Sequence, residues 1–310
     1  MFLTITPNAS LDRILFIDRF VSTTIMRTRK AIDAVGGKGF DISVALRCLD
    51  QETIAVGFQA GMVGEELADL LVSYGIQLDL VDLPGETRIA HVIIEEALHQ
   101  HSHITTQGYS VTPREQELLF ELIKSHLPRS TWVASAGSLP SGLSEDFFQV
   151  LAHLAHESKV PILLDVSGPP ARLVLSTRPD ILKMNQQEFQ KTFDASSESV
   201  ENLTRSAEKI AKANRLPSLV LTLGSQGILA ITPQGTFITR GPVLQEVNAA
   251  GAGDAVSAAL MWRLSLGESW GEALRWAAAA GAATALTEAT AECELQVVRE
   301  LLPRVDQKAL

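Results

Sequence analysis

Two cysteines, Cys48 and Cys293, are all the thiol in this 310-residue chain, and neither stands in a CxxC or other metal-ligand spacing. That scarcity points to a reduced, cytoplasmic protein without a disulfide framework. Positive charge is also short. Lys and Arg number 26 against 36 Asp and Glu, for a net charge of −10. A general nucleic-acid binder gains affinity by neutralising phosphates, and docking on an anionic membrane needs the same excess of cations. Neither partner is expected. A small anionic substrate stays open, since it needs only a local basic pocket. No run of about 18 uninterrupted apolar residues occurs, so no membrane span is expected. The start, Met1-Phe2-Leu3-Thr4-Ile5-Thr6-Pro7-Asn8, lacks the basic residues and long apolar run of a secretion signal. Linkers, low-complexity tracts and internal repeats are missing too. With 46% hydrophobic residues, the length suits one domain over residues 1–310.

Short apolar runs alternate with helical patterns. Phe2–Thr6, Thr53–Phe58, Thr131–Ser135, Val160–Leu164 and Leu219–Leu223 are expected to be buried strands. Gly39–Leu49, Glu65–Tyr74, Pro113–His126, Ser144–His156 and Val200–Ala213 are expected helices between them. This alternation predicts an α/β fold: a mostly parallel central sheet flanked by helices. Ile228–Thr232 and Thr236–Arg240, joined by Pro233-Gln234-Gly235, predict an antiparallel edge. Helices are expected over Ala255–Leu266 and Trp270–Thr287, and near Leu295–Leu302. Residues 12–35 and 86–106 break the rhythm. There Ile14, Phe16, Ile89, Val92 and Ile94 fit small exposed strands, which predict a separate β lid over the sheet's ligand edge.

The chemistry concentrates in a few strings. Gly251-Ala252-Gly253-Asp254 opens an alanine-rich helix. Glycines let a ligand reach the backbone, and the free N–H groups of a helix start favour an anion. Asp254 would repel a phosphate that was merely held. It makes sense beside one being transferred, as base to an attacking hydroxyl. A capped helix start is the plain alternative. The dinucleotide fingerprint G-x-G-x-x-G is absent, because Val256 takes the last glycine's place. No G-x-x-x-x-G-K-[ST] string exists either, so there is no P-loop.

Gly36-Gly37-Lys38-Gly39-Phe40-Asp41 links a strand to a helix. Lys38 could meet a phosphate there, and Asp41 sugar hydroxyls; a glycine turn with a solvated lysine is the alternative. Asn185-Gln186-Gln187-Glu188 would place an amide and a carboxylate on one helical face, suited to the water shell of magnesium. A polar helix start reads equally well. Asn8-Ala9-Ser10-Leu11-Asp12 could grip hydroxyls or simply turn. Arg88, in Gly85-Glu86-Thr87-Arg88, could join Arg27 and Lys38 on a phosphate. His99, His101 and His103 would share a strand face, but only Glu95 or Glu96 could complete a zinc site. A solvated hairpin explains them as well.

In this order and spacing, the strings resemble the ribokinase-like sugar kinases of the phosphofructokinase-B family over essentially the whole chain. Residues 6–12, 36–39 and 85–88, with Ala136-Gly137-Ser138-Leu139-Pro140, are similar to its phosphosugar branch, which holds 1-phosphofructokinase and tagatose-6-phosphate kinase. The resemblance implies ATP and magnesium as cofactors. It implies Asp254 as catalytic base, with Gly251, Ala252 and Gly253 as anion hole. Asn185 and Glu188 would serve the magnesium and phosphate region, Glu188 meeting the metal through water. Thr222, Gly224 and Gly227 would form the nucleotide-binding turn. Asp12, Gly37 and Asp41 match sugar contacts. Arg27, Lys38 and Arg88, with Ser138 nearby, would hold the substrate's existing phosphate. Two positions depart from the family. Asp41 stands where it usually has asparagine, and Met184 where it usually has proline. An ionised aspartate cannot donate, and it lies three residues from Lys38, close enough to pair with it on a helix.

The expected activity is therefore an ATP-dependent kinase of fructose 1-phosphate, tagatose 6-phosphate or fructose 6-phosphate. A kinase of an unphosphorylated sugar or nucleoside is the nearer alternative. A non-catalytic sugar or nucleotide sensor is the more distant one, disfavoured by the presence of both Asp254 and Glu188. Exposed lid strands invite pairing into a homodimer.

Overall fold

The computed structural model describes residues 1–95, 97–98, 100–195 and 199–310. Among these, ten strands form one sheet and four another. The large sheet's parallel part runs β5 (Gln77–Leu83), β4 (Thr53–Ala60), β1 (Phe2–Thr6), β8 (Trp132–Ala136), β9 (Ile162–Asp165), β10 (Ile181–Asn185) and β11 (Leu219–Thr222). Antiparallel β12 (Ile228–Thr232), β13 (Gly235–Arg240) and β14 (Asp306–Ala309) continue it. The expected antiparallel edge is thus present, with β14 added from the far end of the chain.

Helices cover both faces, as a parallel sheet with short crossovers requires. On one side pack α1 (Lys38–Cys48), α2 (Gly61–Ser73), α8 (Ala252–Ser265), α9 (Trp270–Thr284) and α10 (Leu295–Leu301). On the other lie α3 (Pro113–His126), α4 (Phe147–Glu157), α5 (Gly168–Val174), α6 (Gln186–Phe193) and α7 (Val200–Asn214). Strand alternation divides the core between them. Leu3 and Ile5 of β1 join the α3–α7 side, and Phe2 the α1–α8 side. Local signals set several ends. Thr112 and Glu115 form a capping box, with Pro113 in the first turn, so α3 starts where the sequence says.

The second sheet is the lid, ordered β3 (Lys30–Gly36), β2 (Ser10–Ile17), β6 (Arg88–Glu95) and β7 (Gln100–Thr105). Its strands were expected to be exposed, and one face is not. Ile14, Phe16, Ala34, Val92 and Ile94 are buried together. Register explains this. Ile14 stands opposite Val92 and Phe16 opposite Ile94, so the apolar residues of one parity pack across strands. Asp12 lies opposite Ala90 with the same parity, which puts its carboxylate on the face that closes over the large sheet.

The glycine run before α1 fixes the helix against β1. A Cβ on Gly39 would lie 2.4 Å from the backbone oxygen of Ile5, an atom that a rigid central strand cannot move. Gly39→Ala should therefore push α1 away from β1 and cost roughly 1–3 kcal/mol, the usual range for overpacking. Urea unfolding checks this. A midpoint equal to that of the unmodified protein would show that α1 can shift without loss.

Candidate active site

The parallel strands deliver their C-terminal ends to one edge, where ligands of open α/β sheets bind. Past β1 come Asn8 and the lid residue Asp12. Past β8 come Gly137 and Ser138. β9 ends at Asp165 and β10 at Asn185. With α1, α8 and the lid they bound a cavity of about 550 Å³.

The start of α8 forms one wall. Gly251 caps it with φ +78°, a conformation that favours glycine, and a Cβ there would meet the backbone nitrogen of Ala291 at 2.3 Å. Buried Asn248 braces the turn, accepting from Ala250 N at 3.0 Å and donating to Glu288 O at 3.0 Å. The amide of Ala252 is turned back onto Ala249 O at 3.1 Å. Those of Gly251 and Gly253 have no acceptor among the described residues. Of the three amides expected to form an anion hole, two are therefore available, because the tight turn consumes the middle donor. In the first turn of α8 sits Asp254, buried, with Oδ1 lacking a partner among the described residues.

Behind this wall two lysines share one carboxylate. Lys183 Nζ meets Asp165 Oδ2 at 2.5 Å and Lys38 Nζ meets Asp165 Oδ1 at 3.3 Å. Lys38 also reaches Glu188 Oε1 at 3.2 Å. Burial alone would raise the Asp165 carboxyl, but Lys183 and Lys38 outweigh it and hold it below the usual range. Burial also opposes the charge on Lys38. Asp165, Glu188 and Asp254 outweigh that and hold its ammonium above the ordinary value. Nζ of Lys183 would lie 3.4 Å from a Cβ on Gly253, so positive charge stands directly behind the anion hole.

The other end of the cavity is acidic. Asp12 accepts from Ser10 Oγ at 2.9 Å, and Asp41 on α1 is buried with Oδ1 unpartnered. Burial, more than the hydrogen bond and Arg88 can offset, pushes Asp12 up to about 6. Burial and the nearby Asp165 push Asp254 up to about 7, with Lys183 and Lys38 pulling the other way. Arg88 faces the same cavity while donating to the carbonyls of Asn8, at 3.2 Å, and Ala9, at 3.4 Å. Asn8 in turn donates to Ser138 Oγ at 3.0 Å. The cavity thus has a cationic, amide-lined end fit for transferring phosphate and an acidic end fit for hydroxyl donors.

Most expected residues converge here: Asp12, Gly37, Lys38, Asp41, Arg88, Ser138, Glu188, Gly251 and Asp254 all border the cavity. Arg27 does not. It lies exposed in the loop between β2 and β3. Lys38 does not pair with Asp41, because Asp165 and Glu188 hold it across the fold. Asn185 is not on a helical face with Glu188. It caps α6, accepting from Glu188 N at 2.9 Å while Glu188 Oε2 accepts from Asn185 N at 2.8 Å. Thr222 stands beside Asn185 in the β10–β11 register, and Gly224 and Gly227 form the turn after it, outside the cavity. His103 borders the cavity from β7, and His99 and Glu96 lie outside the described residues. Among the described residues no acidic, His or Cys cluster could hold a metal directly. Asp165 and Lys183 were not anticipated. The available signal was a charge closing, or interrupting, an apolar strand run.

The family model for pfkB family carbohydrate kinase matches residues 8–296. The chain is 28% identical to 1-phosphofructokinase of Borreliella burgdorferi over 306 residues, covering 98% of this chain and 97% of that protein. It is 30% identical to D-tagatose-1-phosphate kinase of Bacillus licheniformis over 298 residues, covering 93% of each. Among solved structures, phosphofructokinase-2 from Escherichia coli in complex with substrates and products shares the fold, with a TM-score of 0.86, 21% identity and 98% coverage of both chains.

Asp254→Asn tests the site twice. Loss of a positioned base should cut turnover by about 10²–10⁴. The same change should stabilise the free protein. A carboxyl raised from 3.8 to about 7 on folding gives stability that is fully present below 3.8 and lost as pH rises through 7. The melting temperature of Asp254→Asn should exceed that of the unmodified protein at pH 8, and the gap should shrink toward pH 5. A gap that widens toward acid would contradict the burial cost assigned to Asp254.

Proposed function

Because the chain belongs to the pfkB family of carbohydrate kinases, we propose that it transfers the γ-phosphoryl group of ATP to a hydroxyl of a phosphorylated ketohexose. The observation that carries this reading is the buried, unpartnered carboxylate of Asp254 beside the free amides of Gly251 and Gly253. A sugar hydroxyl would give its proton to Asp254 as its oxygen attacks the γ-phosphorus, and the bond from that phosphorus to the β-phosphate oxygen would break to release ADP. The amides, with Lys38 and Lys183 behind them, would stabilise charge on the transferring group. Thr222, Gly224 and Gly227 would carry the nucleotide past Asn185 toward that hole. Fructose 1-phosphate, tagatose 6-phosphate and fructose 6-phosphate are the proposed acceptors, with Arg88 on the existing phosphate and Asp12, Gly37 and Ser138 around the sugar. An unphosphorylated sugar remains the second reading. Its support is that Arg27 stands outside the cavity and Lys38 is already engaged, leaving Arg88 the cation nearest the acidic end.

Both Glu188 oxygens are committed, one to Asn185 N and one to Lys38. That suits a magnesium ion held through water, as this ion prefers, better than direct ligation. Magnesium at this place would offset negative charge on the phosphates. The lid also leaves Phe20, Ile25 and Ile104 exposed, so we propose that two copies pair through it. Its substrates and free thiols fit the cytoplasm.

Turnover with ATP and a panel of free and phosphorylated sugars separates the readings. Phosphorylated ketohexoses should give kcat/KM at least tenfold above free sugars, the worth of one charge-assisted bond. Higher efficiency on a free sugar would favour the second reading. Activity should vanish in excess chelator, and Glu188→Gln should raise the magnesium concentration required. Full activity in chelator would overturn the metal assignment.

A further inference from the structure

Five carboxyl groups line the cavity, and Asp165 and Glu188 are ion-paired with Lys38 and Lys183; that leaves Asp12 from β2, Asp41 from α1 and Asp254 from α8. Their surroundings differ. Asp12 receives a hydrogen bond from Ser10 and feels Arg88. Asp254 lies over the paired lysines. Asp41 has neither: its Oδ1 meets no donor, and it is 4% exposed. The cations near it are spoken for. Lys38, on its own helix, is drawn to Asp165 and Glu188, Lys183 is paired with Asp165, and Arg88 holds two carbonyls. Tyr74, at the end of α2, gives its hydroxyl to Glu292 at 2.7 Å. Three like charges cannot all persist in one partly dry space. The proton belongs on the member with the fewest stabilising contacts.

We propose that Asp41 works as a neutral carboxylic acid that donates a hydrogen bond to an acceptor-only oxygen of the sugar, a carbonyl, ring or ester oxygen, and so selects the acceptor. A protonated carboxyl carries one donor and one acceptor, as a primary amide does in the same space. The drawback expected of an aspartate here, that it only accepts and repels phosphate, then disappears. Burial first, then Asp254 and Asp12, push its carboxyl well above the usual range, with Lys38 opposing only in part. The neighbouring Asp254 is left free to ionise for its role as base, because one fewer negative charge stands beside it. This assignment rests on the kinase reading for its ligand, but the position of the proton does not.

Infrared difference spectra of the free protein test the proton directly. At pH 8.5, well above the values of about 6 for Asp12 and about 7 for Asp254, the unmodified protein should show a protonated-carboxyl C=O band that Asp41→Asn removes and Asp254→Asn retains. A band that survives in Asp41→Asn, or no band at all, would overturn the proposal whatever the enzyme turns over. Kinetics test the donor. KM for the best sugar of the panel should rise with pH in the unmodified protein as Asp41 loses its proton. In Asp41→Asn that alkaline rise should vanish while the acid limb of kcat remains. Asp41→Leu, of similar size without a donor, should raise KM at least about tenfold, and the asparagine variant should rescue it. An equal alkaline rise in Asp41→Asn would assign the titration to another group and overturn the donor role. A band that behaves as stated, with no sugar phosphorylated, would leave the proton in place and refute the kinase reading alone.

Discussion

The Lys183–Asp165 ion pair is the interaction on which the rest of the site depends. Lys183 is 1% exposed and Asp165 is 2% exposed, so neither charge can be hydrated. Breaking such a pair by removing one partner typically costs about 3–5 kcal/mol, because the other charge is left stranded. The pair ties the ends of β9 and β10 together at the edge where chemistry is placed. Lys38 then closes on the second oxygen of Asp165 and on Glu188, which pins α1 and α6 to the same point. One carboxylate thereby orders two strands and two helices, and it holds two ammonium groups behind the amides of Gly251 and Gly253.

Asp254 stands beside these amides, and Asp12 and Asp41 make the other end of the cavity acidic. Asp12, Asp41 and Asp254 are all raised by burial first. Each is a cost to the folded chain when ionised, which is the usual mark of a site kept for function over stability. One end of the cavity offers free amides backed by ion-paired lysines, and the other offers Asp12 and Asp41 with Arg88 nearby. Hydroxyl donors fit the acidic end and phosphate oxygens the basic end. The reverse placement would leave buried groups unpaired on both sides.

Much of this was legible because the signals were local. Phe2–Thr6, Pro113–His126 and Ile228–Thr232 have the expected bounds, each with a clean apolar period or a cap. The start of α8 could be read from its glycines and Asp254. What escaped was whatever needed the fold to exist. β10 has three buried apolar residues, Ile181, Leu182 and Met184, interrupted by Lys183, so no apolar period marks it. β5 has half-buried positions and acidic interruptions at Asp79 and Asp82. Asn185 read as one member of a helical face and is instead a cap, since the strand carries it to the helix start. Lys38 shows the limit most directly. A partner three residues away on the same helix looked natural, but the fold carries the start of α1 to the end of β9, where Asp165, 127 residues distant, receives Lys38.

The lid adds a link between acceptor and phosphoryl hole that only the structure displays. Lys30, at the start of β3, forms an ion pair with Glu288. The backbone oxygen of Glu288 receives the amide of Asn248, whose own oxygen holds Ala250 N one residue before Gly251. A path of direct contacts thus runs from a lid strand to the anion hole. The ion pair is about half exposed on both sides, and exposed pairs contribute only about 0–1 kcal/mol. Asn248 itself is buried, and its two bonds brace the turn that leads into Gly251. The contacts are thus weakest at the lid strand and strongest beside the amides, so the geometry of the turn rests on Asn248 far more than on the exposed Lys30–Glu288 pair.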